Sequence, residues 1–154
     1  MKTYTKHSNK ILLPILIAIT LCFIWGNSLM PSSISGAFSH RINDLIHTFF
    51  QSMGETSTQS DDGLLRKIAH ASEFAVLGIE LTLLFFHQLP KKCASLLLSG
   101  LSVAFIDETI QLFVTGRAGM IRDVWIDLSG FFIGCLLTFL LRTIYHRHHT
   151  HWVY

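Results

Sequence analysis

Charge is what this chain has least of. Only 14% of its 154 residues are Asp, Glu, Lys or Arg, against about 25% in an average soluble domain. Ten acidic side chains stand against twelve Lys and Arg, a near-neutral balance that excludes a disordered charged tail and a general nucleic-acid binder. Cysteine is scarce too. Cys22, Cys93 and Cys135 are too few for a disulfide scaffold, and all lie in apolar stretches. With no histidine adjacent, they read as small apolar residues rather than nucleophiles. The chain has no Gly-rich phosphate loop, no Gly-x-Ser-x-Gly turn and no internal repeat. A nucleotide-phosphate cradle and an α/β-hydrolase nucleophile are thereby excluded.

Apolar length is what the chain does have. Four stretches, about 11–26, 70–89, 93–113 and 124–143, approach the ~20 residues a helix needs to cross the hydrocarbon core. Pro90-Lys91-Lys92 makes a tight basic turn between the second and third. About ten residues with Gly116 and Gly119 join the third to the fourth, short enough to make them antiparallel neighbours. The expectation is an all-α polytopic membrane protein: one domain over 1–154, four transmembrane helices, and an outer loop at 27–69. The first stretch also has the basic flank and apolar run of a signal peptide. Against that, Trp25-Gly26-Asn27-Ser28 is a poor cleavage site, and Leu21-Cys22 is wrong for a lipoprotein signal. It is read as a retained helix.

Positive charges set the orientation. With the N-terminus inside, seven (Lys2, Lys6, Lys10, Lys91, Lys92, Arg142, Arg147) face the cytoplasm and five (Arg41, Arg66, Lys67, Arg117, Arg122) face out. All ten acids fall in outer loops or within spans, so both termini are expected to be cytoplasmic. In the outer loop, Phe38, Ile42, Leu45, Phe49 and Phe50 recur at helical spacing after a Pro31-Ser32-Ser33 start. This predicts an amphipathic helix, either lying on the outer leaflet or packed over the bundle mouth. Residues Gly54 to Gly63 read as a polar linker, and the tail around His146 to Trp152 as an aromatic anchor at the inner interface.

The informative residues interrupt the spans. A charge at a helix centre costs roughly 2.5–3.5 kcal/mol on insertion scales, yet Glu73, Glu80, Asp107, Glu108, Gln111 and Asp127 all fall within predicted spans. His70, Glu73 and Glu80 share one face of the second. Asp107 and Gln111 are a turn apart on the third, with Glu108 beside them. Asp123, Asp127, Gly130 and Gly134 line one face of the fourth, the glycines forming a small-xxx-small surface suited to a second helix or a second copy. Glu73, Asp107, Glu108 and Asp127 are each expected within roughly 10 Å of the outer boundary, below Lys67, Arg117, Arg122 and Asp123. Only Glu80 is expected to be deep. Simple pairing of these charges is the bland alternative, but buried ion pairs stabilise poorly against apolar packing.

Such a cluster can do acid–base work. Arg117 and Lys67 can hold a phosphate or carboxylate. Carboxylates with His70 can hold a divalent metal, but His70-Ala-Ser-Glu73 has a single histidine, so no metal site is assigned and no cofactor is identified.

Lys67-x-x-His70, Asp107-Glu108-x-x-Gln111, Arg117 and Asp123-x-x-x-Asp127-x-x-Gly130 together resemble the VanZ-like family of bacterial membrane proteins. Trp25-Gly26-Asn27-Ser28-Leu29-Met30-Pro31 is similar to that family's Ser/Pro segment, and the likeness runs from Ile11 to about Leu141. Where the family usually has Asn, this chain has Asp127. The resemblance implies a protein of the bacterial cytoplasmic membrane, a single VanZ-like domain. The family's name-giving member lowers susceptibility to teicoplanin-type glycopeptides.

Two readings of function follow. One is an interaction protein that binds a membrane lipid, a cell-wall precursor or the lipophilic glycopeptide at the outer face. Its ligand-binding residues are Lys67, His70, Glu73, Asp107, Glu108, Gln111, Arg117, Asp123 and Asp127, and it can form a homo-oligomer through Gly130 and Gly134. The other is a small enzyme acting on a lipid headgroup or wall precursor, with Glu108 or Asp107 as general base, His70 as proton shuttle and Arg117 holding the anion. A transporter ranks third, since only Glu80 offers a deep proton carrier.

Overall fold

In lipid, every backbone polar group must be satisfied within the chain, so long apolar runs fold as helices. A computed structural model describes residues 4–52, 62–89 and 91–150, with five α-helices and no strand among them. The helices are α1 (Tyr4–Ser28), α2 (Ser32–Ser52), α3 (Asp62–Phe85), α4 (Cys93–Leu112) and α5 (Ile121–Thr150), with a short 3-10 turn at Phe86–Gln88 after α3. Four of them carry stretches long and apolar enough to span a bilayer: Ile11–Ser28, Gly63–Phe85, Cys93–Leu112 and Ile121–Tyr145. The chain is an all-α polytopic membrane protein. The expected linker at 54–61, Pro90 and the His151-Trp152 end lie outside the described residues. So do the side chains of Phe38, Phe49 and Phe50 and those of the His146–His149 tail.

The helix boundaries follow local chemistry. Helix α4 occupies nearly the expected stretch, between Lys92 and the turn at Phe113–Gly116. Helix α3 begins eight residues before the expected 70 and leaves α-geometry at Phe85 rather than Leu89. Its first turns, Leu64-Leu65-Arg66-Lys67-Ile68, are good helix formers. The charges that made them look like loop have uses at the bundle end. Helix α2 starts where the Pro31-Ser32-Ser33 signal places it, the Pro31 carbonyl accepting from the amides of Ile34 and Ser35.

Helices α3 and α5 share the most extensive contact in the molecule, and small residues make it close. A Cβ on Gly130 would land on the Ala71 carbonyl, and one on Gly134 on the Ala75 carbonyl. Gly130 and Gly134 therefore seat α3 within the chain. The surface that the sequence offers for a second copy is consumed internally, by alanines at the same spacing of four. Around this seam Ile24, Phe74, Leu77, Ala104 and Phe131 are buried, while α1, α4 and the back of α5 turn Ile19, Phe105, Ile133 and Leu141 outward, as a lipid-facing surface requires.

The helix polarity brings four ends together. The C-terminal ends of α1 and α4 meet the N-terminal parts of α3 and α5, with Asn27 bonded to Glu73, Gln111 to Ser28 and Arg117 to the Asn27 carbonyl. At the opposite end Lys92 lies 5.6 Å over the Phe85 ring and Arg142 4.8 Å over Phe86.

Candidate functional site

The polar residues of three spans converge at the first of these ends. On α3, His70 Nδ1 stands 3.9 Å from Glu73 Oε2 and 4.0 Å from Asp107 Oδ2 on α4. Both are contacts rather than hydrogen bonds at that length. Asn27 at the end of α1 donates to Glu73 Oε1 at 2.7 Å, which places Glu73 level with the penultimate residue of α1. Lys67 Nζ lies 3.7 Å from Asp123 Oδ1 in the first turn of α5.

Gln111 is the hub of the α4 side. Its Nε2 donates to Asp107 Oδ2 at 3.0 Å and Glu108 Oε1 at 3.2 Å, with a longer reach of 3.4 Å to Ser28 Oγ. Glu108 Oε2 accepts from the Met120 amide at 2.8 Å, so this carboxylate pins the α4–α5 connection. Asp127, on α5, brings a third carboxyl: Asp107, Glu108 and Asp127 are all buried, with one oxygen from each within 4.8 Å of the others. A small void of about 20 Å³ beside them is lined by His70, Glu108, Gln111, Asp123 and Asp127, with Arg66 and Lys67.

Arg117 enters from the connection. Gly116 has φ +77°, a left-handed conformation that glycine adopts without steric cost, and it turns the chain there. Arg117 then spans back to α1, donating from Nε to the Met30 carbonyl and from an η nitrogen to the Asn27 carbonyl, both at 2.9 Å. Its other η nitrogen is buried with no partner. Burial, and next the neighbouring Arg66, hold the guanidinium below its usual value, while Asp107, Glu108 and Glu73 oppose the shift.

A larger cleft of about 570 Å³ opens beside the cluster. Phe23 and Met30 of the α1 end, Ile34 and Ile42 of α2, and Leu65 and Ala69 of α3 form its apolar walls. Its polar end consists of Asn27, Arg66, His70, Glu73 and Arg117. Helix α2 therefore packs over the bundle mouth through its N-terminal half, while Leu45, further along, is exposed.

All nine residues singled out from sequence lie at this end: Lys67, His70, Glu73, Asp107, Glu108, Gln111, Arg117, Asp123 and Asp127. Arg122 does not join them and is exposed. Glu80 is separate, roughly 10 Å further along α3, and accepts from Thr20 Oγ1 at 3.0 Å. Sequence reasoning missed Arg66, which lines both spaces, and the direct part of Asn27 and Ser28. The readable signal for the last two was a pair of polar residues closing an otherwise apolar helix.

A family model described as VanZ/LLP1 matches residues 12–142. No curated protein matches the chain, and no solved structure does.

Proposed function

The chain belongs to the VanZ/LLP1 family, and from that premise we propose that it binds an anionic amphiphile at the outer face of the bacterial cytoplasmic membrane. The ligand is a phosphate-bearing membrane lipid or a lipid-linked cell-wall precursor, and both termini are cytoplasmic. The observation that carries this reading is Arg117. Its guanidinium ends an apolar-walled cleft, is held by two carbonyls, and keeps one buried nitrogen without an acceptor. A buried donor without a partner is costly, and a phosphate oxygen satisfies it with a charge-assisted bond. The acyl portion of the same ligand fits the walls of Phe23, Met30, Ile34 and Leu65. In this reading, holding such a precursor, or the lipophilic part of a glycopeptide, lowers teicoplanin susceptibility.

The test uses the purified full chain in a phosphate-free detergent, titrated with short-chain phosphatidylglycerol or the matching phosphate-free diacylglycerol. Phosphatidylglycerol binds wild type more tightly, and Arg117→Gln removes that preference while binding the two lipids alike. Equal binding of both lipids by wild type overturns the reading. In a susceptible Gram-positive host, wild type raises the teicoplanin concentration needed for killing, and Arg117→Ala at matched membrane levels does not.

A second reading is favoured by one contact. His70 Nδ1 lies between Glu73 Oε2 and Asp107 Oδ2, and both His70 Nδ1 and Glu73 Oε2 are buried without hydrogen-bond partners. An imidazole so placed at the polar end of the cleft is equipped to move a proton during headgroup chemistry. His70, rather than Glu108, is then the acid–base group, because Glu108 is engaged by Met120 and Gln111 and does not line the cleft. Incubating phosphatidylglycerol or a wall-precursor lipid with wild type and with His70→Ala, and analysing the lipids, decides it. Unaltered lipid with wild type removes this reading and leaves binding.

A further inference from the structure

Asp107, Glu108 and Asp127 come from two helices and offer three oxygens within 4.8 Å of one another. Their relative exposures are 0%, 7% and 2%, so solvent does little to separate their charges. Protein donors satisfy them only in part. Gln111 Nε2 reaches one oxygen of Asp107 and one of Glu108, and the Met120 amide takes the other Glu108 oxygen. Asp107 Oδ1 and Asp127 Oδ2 are buried and reached by no donor. Among the described residues no Lys or Arg is within ion-pair distance of the three. Lys67 faces Asp123, and Arg117 is engaged by the Met30 and Asn27 carbonyls.

The void beside the carboxyls is a separate observation. Its volume of about 20 Å³ is enough for one water or one bare ion; Glu108, Asp127 and the side chain of Gln111 help to line it, with Lys67, which faces Asp123, and Arg66 at its edge. We propose that Asp107, Glu108 and Asp127 hold one hard divalent cation of calcium size. Carboxylate oxygens are the ligands such ions prefer. At Ca–O distances of ~2.3–2.6 Å, three oxygens spread evenly about one ion stand up to about 4.5 Å apart, close to the 4.8 Å within which these three lie. Magnesium, at ~2.0–2.1 Å, requires the three to draw closer still, to about 4 Å, a larger shift of α4 toward α5. Gln111 acts on the ligands rather than on the ion, fixing the Asp107 and Glu108 carboxylates as an outer-shell partner. The ion neutralises charge that no Lys or Arg pairs with directly, and ties α4 to α5 at the level where the cleft meets His70.

The test needs no lipid, so it stands or falls apart from the amphiphile reading. Purified full chain in zwitterionic detergent is titrated with Mn2+ and followed by electron paramagnetic resonance, then back-titrated with Ca2+ and with Mg2+. One Mn2+ binds per chain, Ca2+ displaces it at least tenfold more effectively than Mg2+, and Ca2+ raises the melting temperature. Asp127→Asn, which replaces a carboxylate ligand by an amide without changing side-chain size, loses the bound Mn2+ and the calcium response. Gln111→Leu retains the site with affinity weakened by ~10–100-fold. Glu80→Gln, a carboxylate elsewhere on α3, binds as wild type does. Absence of bound Mn2+ in wild type overturns the proposal. Equal binding by Asp127→Asn does so too, since it moves the ion to the histidines of the tail.

Discussion

Asn27 donates to Glu73 at 2.7 Å, and this bond ties the last turn of α1 to the middle of α3. The Asn27 carbonyl simultaneously accepts from Arg117, so one residue connects the cleft's carboxylate to its guanidinium. Glu73 keeps its other carboxylate oxygen buried and unpartnered. The polar end of the cleft is thus held from outside while part of it stays available.

Replacing Asn27 by Leu strands Glu73 Oε1 without its donor. Leaving a buried acceptor unsatisfied costs about 1–3 kcal/mol, so Asn27→Leu lowers the melting temperature in detergent. Asn27→Asp lowers it further, because it sets a second carboxylate against Glu73. A variant melting with wild type shows that the bond contributes nothing.

The α3–α5 seam gives a prediction with an internal control. A Cβ on Gly130 meets the Ala71 carbonyl, whereas around Gly26 nothing lies within 4 Å. Gly130→Ala forces the helices apart at an overpacking cost of about 1–3 kcal/mol. Gly26→Ala gains up to about 1 kcal/mol of helix propensity. Thermal unfolding of both in the same detergent reads the difference. Equal melting temperatures contradict the close approach.

Glu80 is predicted to be dispensable for ligand binding. Its Oε1 accepts from Thr20, and a glutamine oxygen can accept the same bond without a charge in the span. Glu80→Gln therefore keeps the stability of wild type to within about 1 kcal/mol and leaves phosphatidylglycerol binding unchanged. Loss of binding in this variant moves function toward the deep carboxylate and away from the bundle end.

Much of this architecture was legible because membrane spans and misplaced charges are strong signals. Asp107, Glu108 and Gln111 sit where the third apolar run made them conspicuous, and the Gly130/Gly134 face was visible as a small-residue surface. What the pattern could not say is which helix fills that face. The answer lay in Ala71 and Ala75, ordinary residues whose matching step of four becomes meaningful only beside the glycines. The start of α3 is hidden in the sequence because Arg66 and Lys67 resemble loop residues until Asp123 and the cleft give them somewhere to point. The role of Glu108 was hidden for another reason. Its partner is the Met120 backbone amide, and a peptide group carries no signature in the sequence.

Two neutralisations within the carboxylate cluster should act in opposite directions when divalent ions are removed by chelation. Glu108 has a donor at each oxygen, Gln111 on one side and the Met120 amide on the other. A glutamine there presents an NH2 group to one of those donors, loses that bond, and leaves the donor unmatched at a cost of about 1–3 kcal/mol. Asp127 Oδ2 has no donor to lose, and its carboxyl shares a buried space with two others. Asp127→Asn removes an ionisable carboxyl that crowds two others, without changing the volume, and relieving that crowding stabilises by up to about 1 kcal/mol. In chelator the order of melting temperatures is therefore Asp127→Asn above wild type above Glu108→Gln. Differential scanning fluorimetry of the three proteins checks it. Asp127→Asn melting below wild type in chelator means that its second oxygen already has a partner, and that the cluster is balanced without any ion.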